Sequence, residues 1–185
     1  LTHRWFESVL QMDDGTLYGF FHSEEGVPCS FYIKSPQIGV TRSTDGGMTW
    51  ENLGFIIESP VSENNCEAKN GFFSNGVGDF SVLMDQSKEY VYIYFANYPM
   101  VNQIEDQGIS AARIRVDDLA QPIGKAWRWF NGSFSEPGIG GRAAALFTTW
   151  NNFNHSNPDS FWGPAIHYNT YLNKYVMLMP RTQGG

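Results

Sequence analysis

Residues Ser43 to Trp50 read STDGGMTW, and little but a tight corner between two antiparallel strands suits that order. The carboxylate of Asp45 can bond the backbone two residues on, and Gly46 and Gly47 adopt positive φ at little steric cost. Trp50 then opens the returning strand with a large ring to bury. A chain that carries this corner must place a strand on each side of it. The first expectation is therefore a sheet built from short, tightly turned hairpins.

Composition extends that expectation to the whole chain. Aromatic residues make up 16% of 185 positions, there are 19 glycines, and helix-forming charged blocks are absent, which predicts an all-β fold. Ala111 to Leu119 has some helical character, but Ile114 and Val116 alternating with Arg113 and Arg115 read as a strand. The length suits one domain. Twelve basic and 19 acidic side chains give a net charge of −7 with no Lys/Arg cluster, so neither nucleic acid nor membrane is expected as a partner. The longest near-apolar run, Tyr90 to Tyr98, is too short to cross a bilayer. No leader-like stretch opens the sequence, as in a processed chain or a piece of a longer one.

Cys29 and Cys66 are the two cysteines. A bridge between them would contribute about 3–4 kcal/mol by the chain-entropy argument; two separate buried thiols are the alternative. Asn131 and Asn154 each begin an Asn-x-Ser triplet of the N-glycan acceptor type. Together these features predict a secreted, periplasmic or otherwise extracellular protein.

Three segments superimpose as strand, polar turn and aromatic-rich strand: Trp5 to His22, Gly78 to Phe95 and Trp162 to Met179. Val9, Val82 and Ile166 fall at equivalent places. Ile38 to Arg42 leads into the Ser43–Trp50 corner, and Ile109 to Val116 leads by a loop to Ala126 to Phe130. Gly132 to Ala144 and Asn151 to Ser160 read as loops. Each unit then holds two inner and two outer strands, the pattern of a four-stranded antiparallel β-propeller blade. Blade 1 is expected over about 1–60, blade 2 over about 76–135 and half of blade 3 over about 160–180, all in one partial domain spanning 1–185. A closed propeller needs four or more blades. The expectation is a fragment of a longer protein; a homodimer that assembles five blades from two copies is the alternative.

Ser43 to Trp50 fills every fixed position of the Asp-box, a turn that recurs in β-propellers, sialidases among them. The inner strands also resemble those of the five-bladed propeller glycoside hydrolases of the arabinanase and β-xylosidase type (family 43). The residues that carry this likeness are Asp79-Phe80-Ser81 in the second unit and Trp162-Gly163-Pro164-Ala165 in the third. The resemblance implies a function in hydrolysing or binding polysaccharide or oligosaccharide, and it places a functional acid at Asp79. It departs from the family at Ala165, where the general acid would stand and no proton can be given. In the first unit the aspartate position aligns with Phe6, although Glu7 is adjacent.

Glycoside hydrolysis ordinarily takes two carboxyl groups flanking the scissile bond. Asp79 and Glu7 are the catalytic candidates, since a carboxylate within an apolar strand needs a partner or a role. Glu24, Glu25 and Glu136 are other sources of a second acid. His22, Arg113, Trp162, His167 and Asn169 are the substrate-binding candidates. His167 and Asn169 share one strand face by period two, Arg113 can pair with Asp79 or Glu7 or clamp a carboxylate, and Trp162 offers a ring for sugar stacking. Each also has a plain structural reading, as an ion pair or as a packing residue. No metal ligand set and no cofactor is assigned, although a structural cation near the propeller axis is compatible. Carbohydrate is the expected partner. A non-catalytic carbohydrate-binding propeller, a sialidase-like enzyme and a protein-interaction module are the competing readings. A sialidase needs an arginine trio, for which only the scattered Arg113, Arg142 and Arg181 are available.

Overall fold

The computed structural model describes residues 3–99, 107–150 and 159–183. Its regular structure is antiparallel sheet with two single-turn 3-10 segments, and no α-helix occurs among the described residues. The all-β expectation holds, and none of the sheets closes on itself.

The first sheet is a four-stranded meander of β1 (His3–Gln11), β2 (Leu17–Val27), β3 (Ser30–Ser43) and β4 (Glu51–Ile57). The Ser43–Trp50 corner joins its last two strands. Asp45 reaches four residues on rather than two: its carboxylate accepts the Thr49 N–H at 2.9 Å, the Thr49 hydroxyl at 2.6 Å and the Ser43 hydroxyl at 2.8 Å. Gly46 and Gly47 sit at φ +74° and +91°, and the Trp50 indole donates back to the Gly47 carbonyl at 3.0 Å.

The second sheet runs through β5 (Gly76–Met84), β6 (Tyr90–Tyr98), β7 (Gly108–Arg115), β8 (Trp127–Phe130) and β9 (Ser133–Pro137), with β10 (Phe147–Thr148) also paired to β7. It has one hairpin strand more than the sequence reading expected. Gly132 to Ala144 is not all loop: Asn131 at φ +48° and Gly132 at φ +86° make a two-residue hairpin turn that returns the chain as β9. The third unit is smaller. A hairpin of β12 (Ala165–Asn169) and β13 (Lys174–Leu178) lies beside a short pair of β11 (Asp159–Phe161) and β14 (Arg181–Gln183). Residues 151–158, which the sequence reading placed in a loop with Asn154, lie outside the described residues.

Val9, Val82 and Ile166 each stand in the first strand of a hairpin, opposite Gly19, Ile93 and Met177. One polar device links these three first strands. The Ser8 hydroxyl on β1 accepts the Val82 N–H of β5 at 3.2 Å, and the Ser81 hydroxyl on β5 accepts the Ile166 N–H of β12 at 3.3 Å. The same side chain at the same step of the repeat thus satisfies an edge amide of the next unit.

One hydrophobic core fills the space between the first two sheets, with Phe20, Ile38 and Ile57 from one side against Val82, Ile93 and Phe95 from the other. Each such side chain contributes roughly 1.5–3 kcal/mol on burial. A buried cation closes the outer edge of this interface. Arg128 on β8 is 2% exposed and donates to the Glu58 carbonyl at 2.8 Å and to the Gly138 carbonyl at 2.9 and 2.7 Å. Cys29 and Cys66 form a disulfide, which ties the β2–β3 turn to the segment that precedes the second sheet.

Candidate functional site

Glu7, His22 and Asp79 come from three strands and meet at one point. His22 is on β2, 1% exposed, with Nδ1 2.8 Å from Glu7 Oε1 and 3.5 Å from Asp79 Oδ1. Backbone irregularities place the two acids. The β1–β2 register slips between Phe6 and Ser8, leaving Glu7 as the extra residue, and the β5–β6 register slips between Gly78 and Phe80, leaving Asp79. A bulge re-aims its side chain out of the alternation that strand geometry would otherwise impose. Asp79 also has φ +36°, a strained value for a residue with a Cβ. The misalignment between Phe6 and Asp79 in the repeat is resolved by these slips: each strand uses its own bulge residue to supply the acid.

The chain at Gly78 passes close to His22. A Cβ at position 78 would lie 3.0 Å from the imidazole Cε1 and 3.2 Å from Nε2. Both Glu7 oxygens are engaged, Oε1 by His22 and Oε2 by the Phe80 N–H at 2.5 Å. Asp79, with its side chain 35% exposed, is the member of the trio that faces out, against 15% for Glu7. Burial opposes a charge on His22, but hydrogen bonds and attraction from Asp79 and Glu7 outweigh it and lift its pKa from 6.5 to about 9. At neutral pH the trio is therefore an imidazolium held between carboxylates.

Three further residues border the trio. Glu24 Oε1 lies 3.9 Å from His22 Nε2, the Trp5 ring packs on the imidazole at 4.9 Å between centroids, and Tyr98 is buried nearby. Burial holds the Tyr98 phenol well above its ordinary pKa, with Asp79, Glu7 and Glu24 adding to the effect. Trp5 is 42% exposed, so one edge of the site is an accessible aromatic surface. Sequence reading named Glu24 only as a possible second acid and missed Trp5 and Tyr98. The available signal for Trp5 was its position two residues before Glu7.

The other expected site residues have their observed partners elsewhere. Arg113 is not an ion-pair partner of Asp79 or Glu7. Its guanidinium lies 4.1 Å from the Tyr90 ring centroid and 4.6 Å from that of Phe134. Trp162 packs with Tyr98 at 5.7 Å and Phe73 at 6.2 Å, within a second hydrophobic cluster that abuts the site through Tyr98. His167 is exposed on β12 opposite Val176. Asn169 accepts the Leu172 N–H at 2.9 Å and so forms the β12–β13 turn. Glu25 pairs with Arg4 at 3.4 Å, and Glu136 accepts the Arg142 N–H. Ala165 is exposed at the start of β12 and brings no carboxyl.

The arginines named for a sialidase reading are each engaged elsewhere: Arg113 as above, Arg142 over the Phe130 ring at 4.7 Å, and Arg181 in a two-bond pair with the buried Asp159. No protein-family model matches the chain, and no curated protein matches it either.

Proposed function

We propose that the chain is part of a blade-built β-propeller of the glycoside hydrolase-like kind, and that it binds polysaccharide or oligosaccharide at the Glu7–His22–Asp79 trio. The observation that carries this reading is the convergence of two carboxylates and a buried imidazole where the first strands of successive sheets meet, beside the exposed ring of Trp5. Convergent polar groups next to an aromatic face suit sugar hydroxyls and the C–H face of a pyranose or furanose ring. In this reading Asp79 is the carboxylate presented to substrate, His22 holds it, and Glu7 fixes His22. Propeller architecture is supported by the recurring first-strand hairpins and by the Ser8 and Ser81 links between them. The Cys29–Cys66 bridge supports a secreted or periplasmic setting.

Ala165 favours a second reading, in which the propeller binds carbohydrate without cleaving it. One experiment separates the two. Arabinan, xylan and aryl-glycosides are assayed for hydrolysis alongside a glycan array, comparing wild type with Asp79→Asn. Product release that falls at least about a hundredfold in the variant supports the hydrolase. Binding without product supports the second reading, and loss of neither activity in Asp79→Asn removes Asp79 from the site.

A further inference from the structure

We propose that Glu7, His22 and Asp79 are the ligands of a divalent first-row cation of the Zn2+ or Mn2+ type. This inference does not depend on a glycan binding at the site. The three side chains offer one ligand atom each, and these atoms lie within 4.8 Å of one another. His22 Nδ1 faces Glu7 Oε1 at 2.8 Å and Asp79 Oδ1 at 3.5 Å, with the Asp79 N–H also 3.5 Å away. A ring nitrogen carries a single proton, which can satisfy one of those two oxygens well and the other poorly. A metal ion satisfies all three atoms at once. Ligands bound at about 2.0–2.2 Å lie roughly 3.0–3.4 Å apart in octahedral or tetrahedral geometry, and the two separations from Nδ1, 2.8 and 3.5 Å, fall on either side of that range.

A second observation comes from the histidine itself. It is 1% exposed, and its remaining nitrogen, Nε2, is buried without a hydrogen-bond partner among the described residues, facing Glu24 across 3.9 Å. The imidazole is buried with Nδ1 aimed at Glu7 and Asp79, while Nε2, on the far side of the ring, faces Glu24. The charge count points the same way. Glu7, Glu24 and Asp79 surround one imidazole, and none of the ion pairs among the described residues gives any of them a lysine or arginine. A divalent cation removes that excess negative charge. The partial exposure of Asp79 provides the entry side.

One nitrogen and two carboxylate oxygens select the metal. Imidazole with carboxylate suits Zn2+ and Mn2+, whereas Ca2+ takes six to eight oxygen ligands and has no use for a buried imidazole.

The test is calorimetric titration of the EDTA-treated chain with ZnCl2, MnCl2 and CaCl2 at neutral pH. The expected result is one site and an affinity for Zn2+ or Mn2+ at least about tenfold above that for Ca2+. Asp79→Asn and His22→Gln should each weaken binding by at least about tenfold. Should His22→Gln fail to fold, Mn2+ broadening of amide resonances in the unsubstituted chain decides the matter, with loss of the Asp79 and Phe80 signals expected. No binding up to about 1 mM, a preference for Ca2+, or broadening centred elsewhere overturns the proposal. Affinity unchanged in both variants overturns it too, leaving an adventitious ion only.

Discussion

Replacing Arg128 by methionine tests the buried latch between the first two sheets. The guanidinium makes three hydrogen bonds, to the carbonyls of Glu58 and Gly138. Bonds from a charged donor are worth roughly 1.5–3 kcal/mol each, so together they supply about 4–9 kcal/mol. Burial works against them: it lowers the Arg128 pKa from 12.5 to about 10, a cost of about 3 kcal/mol on the charged form. The two acceptors are not orphaned by the substitution, because Gly138 O still receives the Glu58 N–H at 3.1 Å and Glu58 O the Gly140 N–H at 2.7 Å. The difference leaves a loss of about 3 kcal/mol for Arg128→Met, with methionine filling much of the volume. Urea unfolding followed by tryptophan fluorescence and far-UV circular dichroism reads the loss directly. Arg128 stays protonated in folded and unfolded chains below about pH 10, so the loss is constant from neutral to mildly acidic pH. A variant within about 0.5 kcal/mol of wild type, or more stable than it, would refute the reasoning by showing that desolvation cancels the three bonds.

Other expectations follow from the same geometry. Ser81→Ala removes the acceptor for the Ile166 amide and should cost about 1 kcal/mol, with hydrogen exchange at Ile166 accelerated roughly fivefold; unchanged exchange would mean that β12 is held by other contacts. Reducing Cys29–Cys66 should lower stability by about 3–4 kcal/mol in a urea melt under reductant, and a smaller loss would indicate that the segment before the second sheet stays ordered without the bridge. His22 has a folded pKa near 9 against 6.5 unfolded, so its stabilisation is fully present below about pH 6.5 and is lost as pH rises through about 9. Unfolding at pH 6 and pH 10 should therefore show a gap between wild type and His22→Gln that shrinks by about 3 kcal/mol at the higher pH. A gap that stays constant with pH would count against the ion pairs.

Local chemistry was the legible part of this sequence. The Ser43–Trp50 corner, the alternation in β6, and the equivalence of Val9, Val82 and Ile166 all arise from turn residues and period two, which act over a few positions. Asp79 stood out as a carboxylate at the start of an apolar strand, Glu7 as a charge within an inner strand, and His22 as the end of the first hairpin beside two acids. Their meeting did not follow from the pattern alone, because it depends on a bulge in each of β1 and β5, and a bulge is set by how two strands pair rather than by either one. Arg113 was misread because a guanidinium looks for carboxylates in a sequence, while in the fold the faces of Tyr90 and Phe134 lie closer. Asn169, named for substrate, caps the β12–β13 turn by accepting the Leu172 N–H, a role that asparagine commonly takes in turns. Arg128 gave no signal at all: its partners are two backbone carbonyls, one of them seventy residues away in the chain.

The measurement that tests the central claim most directly is an NMR titration of the His22 imidazole in the metal-free chain, repeated with Glu7→Gln and Asp79→Asn. A midpoint near 9 in the unsubstituted chain, lowered by about one unit or more in each variant, is the predicted result. A midpoint near 6.5 that neither substitution moves would mean that the three side chains do not share a site.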